Sequence, residues 1–100
     1  MNILFMKMLV QFEKRRELWQ SLLSIIGHVR KQSGCLQADA YQSIENEREF
    51  LVVETWATQK DTDDHLKSDI FSVMSGAGCL MDRMPEIEIR TVDGSTELKN

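Results

Sequence analysis

A single proline and five glycines in one hundred residues leave few points where the backbone is forced to turn. That scarcity excludes collagen-like and low-complexity linker sequence. Two cysteines, Cys35 and Cys79, stand far apart with no C-x-x-C spacing. They make neither a disulfide framework nor a zinc knuckle, and they point to a reduced, cytoplasmic setting. Only two histidines are present, neither near a cysteine in sequence, and the acidic run "DTDD" at 61–64 lacks the spacing of a calcium loop. No metal site is therefore expected. A glycine-rich phosphate cradle and a dinucleotide fingerprint are both missing, so no bound cofactor is expected either. The apolar run Ile3 to Val10 is too short to span a bilayer, and no small-residue cleavage site follows it. The formal charge is −4, and the one basic cluster, "EKRRE" at 13–17, is mixed in sign. Such a surface repels phosphate backbones, which makes nucleic acid a poor partner.

What is there is one domain's worth of periodic structure, expected over 1–93 with a polar tail at 94–100. "ILFMKMLVQF" (3–12) is apolar on nearly every residue over a strand's length. In the next segment Leu18, Leu22, Ile25, Ile26 and Val29 share a helical face, with Trp19 and Leu23 broadening it. Glu13 and Glu17 near its start and Arg30 and Lys31 near its end suit the helix dipole, and Gly34 reads as its left-handed cap. "CLQADAYQSI" (35–44) and "EFLVVETWA" (49–57), joined by a polar turn at 45–48, read as a hairpin. Thr58 to Ser68 is polar and weakly helical. Ser68 and Asp69 offer a cap for a second helix, "IFSVMSGAGCLM" (70–81), whose Ile70, Phe71, Met74 and Leu80 face a core and whose Gly76 and Gly78 weaken its end. Pro85 precedes "EIEIRTV", an alternating strand with Ile87 and Ile89 on one face.

The order β-α-β-β-α-β is that of the α+β, ferredoxin-like split arrangement, an antiparallel sheet with its helices on one face. The first and third strands are apolar on both faces, and helices can cover only one. A second copy packed sheet on sheet is the economical cover, which predicts a homodimer.

The chain resembles the antibiotic biosynthesis monooxygenase family of small dimeric α/β barrels. The resemblance is carried by "SGC" (33–35), Tyr41, "FLVVETW" (50–56) and "HLKS" (65–68) with Phe71 beyond, over roughly Ile3 to Val92. It implies a dimeric barrel and, for some relatives, cofactor-independent oxygenation of phenols or oxidation of quinols. Others degrade haem or process autoinducers. Ile70 stands where many relatives carry a second histidine. His65 and Ser75 stand where haem-degrading relatives have tryptophan and histidine, which disfavours haem degradation. Thr62 replaces a usual apolar residue and is expected to loosen the helix that carries His65.

Within this frame, Trp56 reads as core or as a pocket wall whose indole N–H needs a partner. Glu54 shares its strand face, where a buried carboxylate needs an ion pair or a role as proton acceptor or orienter. His65 reads as either a satisfied surface residue or, on the family spacing, a base or proton shuttle. Phe50, Tyr41, Phe71 and Met74 are candidate substrate-lining residues, with core packing as the alternative. His28 falls about 130° from the apolar stripe of its helix and is expected on the surface. Cys35 and Cys79 have no nearby base, which argues against nucleophiles. The resemblance thus implies a monooxygenase or quinol oxidase acting on a small electron-rich aromatic in a dry hollow beside Trp56. The alternatives are a non-enzymatic, ligand-binding or stress-related dimeric barrel, and a proton-transfer enzyme that uses no oxygen.

Overall fold

Among the described residues, alternation and helical periodicity mature into eight segments. A computed structural model describes residues 1–76 and 80–92; Gly78, Cys79 and the tail expected at 94–100 lie outside the described residues. The elements are β1 (Asn2–Leu9), α1 (Arg15–Val29), β2 (Cys35–Gln42), β3 (Glu49–Trp56), α2 (Gln59–Leu66), α3 (Asp69–Gly76) and β4 (Glu86–Thr91), with a 3-10 turn at Phe12–Lys14 before α1. The strands pair antiparallel throughout in the order β2-β3-β1-β4, a ferredoxin-like α+β sheet.

The pleat sorts the two central strands cleanly. Leu4, Met6 and Met8 of β1 and Phe50, Val52 and Trp56 of β3 point to the helix side and are buried, where Leu18, Leu22, Ile26 and Val29 of α1 meet them. Trp19 and Leu23, expected to broaden that helical stripe, are exposed: α1 spends its apolar width on a stripe of four residues and leaves these two on its flank. On the other side of the sheet Ile3, Phe5, Leu51 and Val53 remain only partly covered by their lateral neighbours. Ile87 and Ile89 do share the face of Leu4 and Met6, but β4 is the edge strand and they stay 46% and 41% exposed.

Two turns differ from the sequence reading in informative ways. Helix α1 stops at Val29, and three-residue turns carry the chain on, with Lys31 N–H donating to His28 O and Gln32 N–H to Val29 O. Gly34 is left-handed, with φ of 84°, but it turns the chain into β2 instead of capping α1. The polar stretch after Trp56 forms a helix of its own, α2, because the Thr58 side chain accepts from Asp61 N–H as an N-cap. Ser68 separates α2 from α3: its hydroxyl donates to His65 O at 2.6 Å and accepts from Phe71 N–H at 3.2 Å. No helix among the described residues is long and apolar enough to cross a membrane.

Candidate functional site

Period-two alternation at the end of β3 sends Glu54 and Trp56 to the helix side together, two residues apart. The chain then reverses at Thr58, and α2 runs back over the sheet. Its sequence is almost wholly polar, and the two side chains it buries are Thr62 and His65, three residues apart on one helical face. His65 lands on Trp56, with ring centroids 4.3 Å apart and planes inclined by 25°. Phe71 from α3 meets the imidazole edge-on at 5.5 Å.

The polar contacts of this cluster are few and buried. Trp56 Nε1–H donates to Glu54 Oε1 at 3.2 Å. His65 Nε2 lies 2.8 Å from the same oxygen, within ion-pair distance though outside hydrogen-bond alignment. Its other ring nitrogen, Nδ1, is 2.7 Å from Gln32 Oε1. Glu54 Oε2 has no partner among the described residues. Glu54, Trp56 and His65 are 0%, 1% and 2% exposed, so little water screens these contacts. A carboxylate oxygen and a ring nitrogen therefore face each other at contact distance in a buried place. The site is thus a buried carboxylate–imidazole pair packed against aromatic rings.

A second polar knot fixes α2 above it. Asn2, opposite Trp56 in the register, donates through Nδ2 to Gln59 Oε1 at 2.8 Å and to Thr62 Oγ1 at 3.0 Å. Thr91 Oγ1 donates to Asn2 Oδ1 at 3.0 Å, and Thr62 Oγ1 donates to Thr58 O at 3.0 Å. Thr62, expected to loosen the helix, is instead buried with its hydroxyl satisfied and ties α2 to β1. Cys35, also opposite Trp56, sits at a bulge; burial, and then the Glu54 charge, push its thiol above the usual range.

The remaining residues picked from the sequence scatter. Phe50 is buried at the far end of β3, six residues or about 20 Å from Trp56, and packs on Trp19. Tyr41 lies on the other face of the sheet and is 52% exposed. Met74 is fully buried core, and His28 is exposed as expected. The opening to the cluster is a cleft of about 240 Å³, with Gln32 and Ser33 on one wall, Lys60, Asp61 and Asp64 on the other, and Trp56 and His65 as its floor. Among the described residues no group of three or more His, Cys, Asp or Glu could hold a metal ion. Asn2, Gln32 and Thr62 were not singled out as site residues by the sequence. A polar residue heading an apolar strand was the only hint of Asn2, and nothing local marked Gln32.

The profile of the family described as "Antibiotic biosynthesis monooxygenase" matches residues 1–76, which hold every member of the buried cluster. The chain belongs to that family. Solved structures agree on the fold. A Deinococcus radiodurans protein proposed to be an antibiotic biosynthesis monooxygenase superposes with a TM-score of 0.91 at 19% identity, covering 100% of both chains. A conserved protein from Methanosarcina mazei gives 0.83 at 28% identity over 89% of each chain. The Rv0793 protein of Mycobacterium tuberculosis gives 0.85 at 18% identity over 96% of this chain and 98% of its own. Comparison with curated proteins gives no match.

Proposed function

We propose that this family member is a cofactor-independent monooxygenase or quinol oxidase acting on a small electron-rich aromatic. One observation carries the reading: a buried glutamate and histidine lie 2.8 Å apart, with the imidazole stacked on a tryptophan, at the floor of a cleft. In this reading His65 takes the phenolic or activated C–H proton, with Glu54 holding the imidazole in place and supporting the charge it gains. In the monooxygenase case the substrate anion passes an electron to dioxygen, the two radicals combine at carbon, and the peroxide loses water to leave a quinone. A quinol instead gives up two electrons and two protons to dioxygen, which leaves as hydrogen peroxide. Trp56 and Phe71 keep water from the reacting carbon. The cleft suits a single ring, being smaller than the pockets that take drug-sized molecules.

The same reading makes the protein a homodimer through the open sheet face, where Ile3, Phe5, Leu51 and Val53 need a cover that the helices cannot give. The test is oxygen uptake with hydroquinone as substrate. Uptake above the uncatalysed rate is expected, falling at least about a hundredfold in His65→Ala, the usual scale of a lost general base. Uptake equal in wild type, His65→Ala and Trp56→Phe would overturn the reading. A second reading, a ligand-binding barrel without catalysis, is favoured by the engagement of both His65 nitrogens. It predicts a thermal shift with hydroquinone and no turnover.

A further inference from the structure

The imidazole of His65 has two faces to the world, and only one is within reach of a ligand. Nε2 is turned inward to Glu54, whose side chain is wholly buried. Nδ1 is turned toward Gln32, which is half-exposed and forms a wall of the cleft. A molecule entering from solvent therefore meets the carboxamide of Gln32 before it meets a ring nitrogen.

The chemistry of a carboxamide suits that position. At 2.7 Å from the Gln32 carboxamide, Nδ1 is either an N–H donor or a lone-pair acceptor, according to the tautomer and charge of the ring. The Gln32 oxygen satisfies the first, and a half-turn of its last bond presents the NH2 group to the second. The cap thus fits both protonation states without leaving a buried ring nitrogen unpaired. A hydroxyl group has the same double character, donor and acceptor at one atom, and can replace the amide in either state. A carboxylate can only accept, and Asp61 and Asp64 at the mouth repel it, with Lys60 already paired to Asp64 at 3.0 Å.

We propose that the Gln32 side chain is a displaceable cap on His65 Nδ1, and that the cleft behind it binds a small neutral ring whose hydroxyl takes the place of the amide. Gln32 is a positioning residue in this scheme: it holds the imidazole ready and yields it to the ligand. The proposal rests on the reading of His65 as the proton-handling group, but its test does not need turnover.

The experiment is ethoxyformylation of His65 by diethyl pyrocarbonate in a His28→Gln background, which leaves one histidine to follow by mass. Gln32→Ala is expected to raise the rate by up to about tenfold, the change in open population when one hydrogen bond is removed. Phenol is expected to protect His65 in that variant and to bind it more tightly than the parent, since no amide competes. If Gln32→Ala fails to fold, Gln32→Asn serves, because a side chain one methylene shorter cannot keep the 2.7 Å contact. An equal rate in a folded variant and the parent overturns the cap, as does an absence of protection by phenol. Failure of hydroquinone oxidation with the cap results intact removes the oxidase reading alone.

Discussion

Replacing Gly34 by alanine tests how the turn before β2 and the start of α2 are fitted together. Gly34 has φ of 84°, a region that costs a residue with a Cβ about 1–2 kcal/mol. A Cβ built there would also overlap the carboxyl group of Asp61, with Asp61 Cβ only 2.6 Å away. That carboxylate accepts from Thr58 Oγ1 at 2.8 Å, and the same hydroxyl accepts from Asp61 N–H, so moving it disturbs the cap of α2 at a cost of about 1 kcal/mol. The sum, about 2–3 kcal/mol, is a large share of the roughly 5–15 kcal/mol that holds a domain of this size. Urea denaturation followed by tryptophan fluorescence, at fixed protein concentration, measures it. The double variant Gly34→Ala/Asp61→Gly separates the two causes. Without the Asp61 side chain the alanine should cost only the left-handed strain, about 1–2 kcal/mol, against the Asp61→Gly parent. An equal cost in both backgrounds would refute the close approach. A cost below about 0.5 kcal/mol, the usual range of a neutral surface change, would refute the whole argument.

Asn2→Leu should destabilise by about 2 kcal/mol in the same assay, since it strips the partner from the buried Thr62 hydroxyl and from Gln59 and Thr91. Cys35 should react with a disulfide reagent more slowly than a free thiol at neutral pH. Burial and the Glu54 charge both raise its pKa, so less thiolate is present at a given pH. Glu54→Gln removes the second cause and should quicken that reaction; an unchanged rate would mean that the carboxylate does not act on the thiol. Val53→Asp places a charge on the open sheet face and should convert a wild-type dimer to monomer by light scattering. A wild-type monomer would show instead that this face needs no cover.

Much of the fold was legible because its determinants are local. Period-two alternation in "EFLVVETWA" put Phe50, Val52, Glu54 and Trp56 on one face, and the three-to-four spacing of Leu18, Leu22, Ile26 and Val29 drew the buried stripe of α1. The polar stretch 58–68 was harder. With only Thr62 and His65 buried, α2 has no apolar stripe to read, and its helix is secured by a cap and by contacts to β1. Trp19 and Leu23 fitted a helical stripe by spacing but not by layer thickness, because α1 has one sheet to cover and its flank faces outward.

The sequence by itself determined the order of strands and helices, the face on which Glu54 and Trp56 sit, and the residues that link the chain to its family. Backbone periodicity and capping are set by neighbours a few positions away, so they can be read along the chain. Tertiary structure alone decided that His65 stacks on Trp56, that Gln32, 33 residues earlier, closes over Nδ1, and that Asn2, 60 residues from Thr62, anchors the helix above. It also carried Tyr41 to the far face of the sheet. These pairings depend on sheet register and on the angle at which α2 crosses the strands. Both are fixed by packing across the whole layer, and neither leaves a mark in any short stretch of residues.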